Sequence, residues 1–117
     1  MTIYSLGEAA QGDISDVLKV YPANESGSLS GDWTCQLVVL DADGTELLNR
    51  AVTDQEPFAT NGVVDKFLVY LTAAETAALA VGSYRVVAEL ENLAMVPAFR
   101  REVKAMIDIN EGWRANP

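Results

Sequence analysis

Three carboxylates stand close together in this 117-residue sequence: Asp41, Asp43 and Glu46, around the stretch Asp41-Ala42-Asp43-Gly44. Calcium takes about six to eight oxygen ligands, and an Asp-x-Asp-Gly turn with a nearby Glu supplies part of such a set. The spacing departs from the EF-hand loop, which needs a further Asp or Asn before its glycine and a Glu placed later. The competing reading is a hairpin turn capped by its own Asp side chains. That reading is favoured, and the three acids remain a weak calcium candidate. Asp13, Asp16, Asp54 and Glu56 are further loop acids able to join such a site. Nucleophilic chemistry has less to build on. There is no histidine, so no Ser-His-Asp or Cys-His arrangement exists in the chain. The single cysteine, Cys35, lies in phase with Trp33 and Leu37, which points to a buried, inert thiol rather than a reactive one. No Ser-x-x-Lys spacing and no glycine-rich phosphate loop occur. No catalytic residue and no cofactor are expected, and the chain reads as non-enzymatic.

Charge narrows the partners. Eight Lys and Arg stand against 17 Asp and Glu, a formal charge of −9. Nonspecific nucleic-acid binding needs clustered cations that displace counterions. The only such cluster, Arg100, Arg101 and Lys104, is interrupted by Glu102 and reads as a solvated strand face. No nucleic-acid partner is expected. No apolar run approaches the ~18 residues of a membrane span. Met1-Thr2-Ile3-Tyr4-Ser5 lacks the basic and apolar regions of a secretory signal. Neither membrane association nor export is therefore expected.

The elements that position these residues follow from hydrophobic period. Residues 1–12 read either as a flexible arm or as a strand lent to a neighbouring subunit. Val17–Tyr21 is a short apolar stretch ended by Pro22. From Trp33 to Leu40, Trp33, Cys35, Leu37 and Val39 share one face, a strand pattern. Val38 and Leu40 make the other face partly apolar, which implies a central strand or a covered outer face. After the Asp41–Gly44 turn, Thr45–Val52 reads as the partner strand and 53–62 as a loop. In Val63–Leu71, Phe67, Val69 and Leu71 face inward, while Lys66, Leu68 and Tyr70 face out. Thr72-Ala73-Ala74-Glu75 fits a capping box. It opens a short helix over residues 73–80, with Gly82 placed to end it and Leu79 or Val81 to pack it. Ser83–Glu91 alternates with Tyr84, Val86, Ala88 and Leu90 inward. Asn92–Pro97 reads as a turn, and 99–110 as a last strand. Residues 111–117 form a tail containing Trp113.

Six or so strands, one short helix and no β-α-β rhythm predict an all-β fold. The expected architecture is an antiparallel two-layer immunoglobulin-like β-sandwich over residues 13–110. A partly open barrel is the alternative.

Two stretches carry a resemblance. Ser28-Leu29-Ser30-Gly31, the strand Asp32–Leu40 and Asp41-Ala42-Asp43-Gly44-Thr45 form one. Val69-Tyr70-Leu71-Thr72-Ala73-Ala74-Glu75 through Leu79-Ala80-Val81-Gly82-Ser83-Tyr84-Arg85 forms the other. Together they resemble small structural proteins of tailed phages and prophages, from the tail, baseplate-associated or neck region. In those proteins a turn–strand–hairpin and a strand–helix–strand segment recur. The sequence departs at Ser28, where Asp is usual, and at Ala80-Val81, where proline often precedes the glycine. The resemblance spans about residues 28–109. It implies an immunoglobulin-like sandwich similar to the N-terminal domain of baseplate upper proteins, assembled in the host cytoplasm into a virion. The implied partners are other virion proteins and further copies of this chain. It carries no catalytic residues. Partner-contact candidates are Leu68, Tyr70 and Val87, apolar side chains on faces away from the core, and Trp113. The alternative is a ligand-binding β-sandwich for calcium or carbohydrate. It would rest on the Asp41, Asp43 and Glu46 group, or on the exposure of Trp33 or Trp113.

Overall fold

A computed structural model describes residues 3–20, 33–57, 64–92 and 99–111. Eight strands and one helix follow in chain order: β1 (Ile3–Ala10), β2 (Leu18–Val20), β3 (Trp33–Leu40), β4 (Glu46–Ala51), β5 (Gln55–Pro57), β6 (Val64–Val69), α1 (Ala73–Ala78), β7 (Gly82–Asn92) and β8 (Phe99–Asn110). They form a five-stranded sheet, β1-β8-β7-β3-β4, and a three-stranded sheet, β2-β6-β5. The fold is all-β with one minor helix, as the alternation predicts.

The long hairpin β7–β8 is the backbone of the larger sheet. Its register runs from Gly82 opposite Ile109 to Asn92 opposite Phe99. Successive side chains point to opposite faces. Tyr84, Val86, Ala88 and Leu90 therefore fall on one buried face with Val103, Ala105, Ile107 and Ile109. Beside β7, β3 adds Cys35, Leu37 and Val39 to that face. Val20 of β2, Phe67 and Val69 of β6, and Leu71 belong to the same buried cluster, so the two sheets share one core. Arg101 falls in the inward phase of β8 yet is exposed, as a position near the strand's start allows.

The large sheet is mixed, which corrects the expectation of purely antiparallel pairing. β1 runs parallel to β8, from Ile3 opposite Lys104 to Ala10 opposite Asn110. A parallel pair needs a long crossover between its strands. Here nearly the whole chain supplies it, so no β-α-β unit is required. The stretch read as an arm or lent strand is thus paired within its own chain over residues 3–10. Its irregular hydrophobic pattern has a cause. The register shifts between Ser5 and Glu8, and Gly7 sits there at φ +66°. The extra residue turns Leu6 and Ala9, three positions apart, toward the same core.

Three other boundaries differ from expectation. α1 ends at Ala78, and Leu79 leaves it in extended backbone, so Gly82 opens β7 rather than closing the helix. Leu79 is buried and Val81 is 59% exposed, which settles which residue packs α1. The loop expected over 53–62 contains β5, paired with β6. Pro57 lies on that edge strand, where a missing ladder donor is tolerated.

α1 has too few turns to stand alone. Its N-terminus carries the full capping box: the Glu75 amide donates to Thr72 Oγ1 at 3.2 Å, and the Thr72 amide to Glu75 Oε1 at 2.9 Å. Thr76 is fully buried, its hydroxyl donating to the Asp13 carbonyl at 2.7 Å and accepting from the Gly12 amide at 3.0 Å. Gln11 Nε2 donates to the Leu79 carbonyl at 2.7 Å. The link from β1 to β2 therefore straps the helix down. Ser15 ties the same link to the end of β6, with its amide on the Leu71 carbonyl and its hydroxyl accepting from the Leu71 amide.

Candidate functional site

The acidic turn is built for the backbone. Asp41 Oδ1 accepts from the amides of Asp43 and Thr45, each at 2.9 Å. The Gly44 amide donates to the Asp41 carbonyl at 3.0 Å, with Gly44 at φ +84°. Glu46 is turned along its strand and accepts from Asn49 Nδ2 at 3.1 Å. Asp41, Asp43 and Glu46 do not converge on a point. Among the described residues no group of three or more His, Cys, Asp or Glu is placed to hold a metal ion. The turn reading accounts for Asp41, whose carboxylate caps the turn. Asp54, another loop acid, accepts instead from the Tyr70 hydroxyl.

Cys35 is buried in the core, and that burial pushes its thiol up to about 12, with the positive charge of Arg50 offsetting part of the effect. At neutral pH it carries no thiolate with which to attack. Trp33 is half-buried and packs against the core.

Among the described contact candidates, Leu68 and Tyr70 belong to the small sheet or its end, and Val87 to the large sheet. Leu68 and Tyr70 are half-buried on the small sheet or at its end. The bond to Asp54, then that carboxylate's charge, raises the Tyr70 phenol above its ordinary value. Val87 is a correction. It is only 5% exposed and lies opposite Val38, itself buried, in the middle of the large sheet. Asn49, Glu89, Arg85 and Lys104 neighbour this pair along and across the strands. Short β-branched side chains among long ones lose their water to the neighbours' apolar stems. Trp113 lies outside the described residues. So do the tail from Gly112, the start of the first resembling stretch at residues 28–32, Pro22, the turn residues 93–97 and residues 58–62.

A different site emerges between the edge strand β4 and α1. An apolar cleft of about 490 Å³ is lined by Leu47, Leu48, Ala74, Glu75, Ala78, Leu79, Ala80 and Tyr84. Two consecutive strand residues normally face opposite ways. Here the β3–β4 register slips, with Leu40 opposite Glu46 but Val39 opposite Leu48. Leu47 is the extra residue, and the bulge turns both leucines toward the cleft. Ala74 and Ala78, one helical turn apart, keep the facing wall low. The Tyr84 hydroxyl donates to the Ala80 carbonyl at 2.6 Å and holds the cleft's end.

One ion pair joins the two walls. Arg50 Nε lies 2.5 Å from Glu75 Oε2 and Nη2 3.1 Å from Oε1, while Nη2 also donates to the Tyr70 carbonyl at 2.7 Å. Burial alone would raise the Glu75 carboxyl. The Arg50 bonds and the Thr72 amide outweigh it and hold the group below its ordinary value. Sequence reading finds the Thr72–Glu75 half of this device, because the capping box is local. It misses Arg50, which is 25 positions away. The visible signal for the cleft is the pair Leu47-Leu48, which breaks strict alternation straight after the turn. Comparison with known protein families, with curated proteins and with solved structures finds no match to this chain.

Proposed function

We propose that this chain is an immunoglobulin-like β-sandwich acting as a non-enzymatic structural or adaptor component of a tailed phage or prophage particle. The strand order supports the immunoglobulin-like part. Lettered as in such domains, β2, β6 and β5 give B-E-D in one sheet. The other reads G-F-C-C′ across β8, β7, β3 and β4, with β1 beside G. Tyr84, near the start of the F strand, bonds back to the Ala80 carbonyl, as the tyrosine corner of such domains does. Val86, fully inside, stands two residues on, where antibody domains carry their second cysteine.

The observation that carries the functional reading is the segment Val69–Arg85. It bears one half of the resemblance and folds as strand, capped helix and strand around that tyrosine. Function then lies in contact with other virion proteins or further copies, made by apolar side chains and strand edges. Leu68 and Tyr70 stay contact candidates on the small-sheet side.

The test is deletion of the coding sequence from the strain that carries it, followed by electron microscopy of induced lysates. Incomplete particles, restored by supplying the chain in trans, are expected. Complete and infectious particles without the chain would contradict the proposal.

A further inference from the structure

We propose that the cleft between β4 and α1, together with the unpaired side of β4, docks an extended segment of a partner protein. That segment places one large apolar side chain in the cleft and a basic side chain at its rim. The inference rests on the assembly reading above and names the surface that would serve it.

A cleft of about 490 Å³ is in the range that buries a ligand group, and its lining is apolar apart from Glu75, the Tyr84 hydroxyl and backbone. Leu47 is 46% exposed, an apolar surface at the cleft mouth. Among the described residues no strand pairs with the outer side of β4. Sheet edges are normally guarded by shortness, bulges, proline or a projecting cation. Three edges here have such guards: β2 and β5 have three residues each, β5 contains Pro57, and β1 is broken by its bulge. On β4 the bulge lies at Leu47, and Leu48–Ala51 continues in regular register. Its one cation, Arg50, is drawn across to Glu75 instead of projecting as a guard.

Charge selects the occupant. Asp43 and Glu46 are exposed at one end of β4 and Asp54 at the other, while Arg50 and Glu75 neutralise each other. A basic segment is attracted to that rim. A second copy paired edge to edge would bring the same acids against it. A small apolar molecule would fill the cleft and leave the strand's backbone groups unused.

The test is amide NMR of the isotope-labelled full chain. It is titrated with a capped peptide, Lys-Val-Trp-Val-Lys-Val, and with its counterpart bearing Glu for Lys. Expected are shifts confined to Leu48–Ala51, Ala74–Ala80 and Tyr84, with at least about tenfold weaker binding of the acidic peptide. Ala78→Phe, filling the cleft from an exposed helix position, and Leu47→Gln should each abolish the response while leaving the thermal midpoint near that of the parent. Four results would overturn the inference: shifts elsewhere or none, equal binding of both peptides, free indole matching the peptide at the cleft, or self-association through β4 without peptide. Failure here with the chain still present in particles would leave the assembly reading standing. Absence from particles would remove that reading whatever the peptide does.

Discussion

At Glu75 a single carboxylate does three jobs: it caps α1, holds Arg50 and closes one wall of the cleft. Its folded-state value lies below the ordinary 4.5. Its stabilisation is therefore complete above that value and is lost as the pH falls through the folded one. Glu75→Gln is expected to lower stability by about 1 kcal/mol at neutral pH, read by urea denaturation. That deficit should shrink as the pH falls through the lowered folded-state value, where the parent also loses its charge. A deficit independent of pH would contradict the role of the ionised group. Cys35 gives a second residue-scale expectation. With its thiol near 12, alkylation of the native chain should be slow and should accelerate on unfolding. Rapid modification under native conditions would contradict the buried placement. Both residues show what a sequence exposes. The Cys35 environment follows from strand phase, and the capping box from a spacing of three. The Arg50–Glu75 pair depends on a fold that brings β4 over α1.

Elements were legible where their period was regular and long. β3, β7 and β8 carry a long alternation, broken at Val38 and Val87, and their bounds fall within a residue or two of expectation. β1 was legible only as an ambiguity, because the bulge at Gly7 breaks the period that identifies a strand. β5 was hidden by its three residues and its proline. The bulge makes a prediction. At φ +66° a side chain is strained, and a Cβ would also stand 3.3 Å from Asp16 Oδ2. Gly7→Ala should cost roughly 1–2 kcal/mol. The loss should appear as earlier hydrogen exchange of β1 and of Gly12 and Ser15, which hang from the same link. Unchanged stability would mean that the left-handed turn is not required there.

For the whole molecule, alternation predicts the two-sheet, all-β arrangement. The parallel β1–β8 contact was not legible, because it joins the two ends of the chain and leaves no local signal. The cleft was hidden for a related reason, since its walls come from residues 47–48 and 74–84. Val87 shows the opposite error. Its phase points away from the core, as read, but it is only 5% exposed. On the large sheet's outer face Val38 and Val87 are buried and Met106 is 38% exposed, so partner contacts are sought at the edges and on the small sheet as well. The role we propose for this architecture is assembly. Its most direct measurement is quantitative mass spectrometry of gradient-purified particles from the strain that encodes the chain. A fixed copy number per particle that survives high-salt washing is expected. A chain found only in the free cell fraction, or at variable trace amounts in particles, would contradict it.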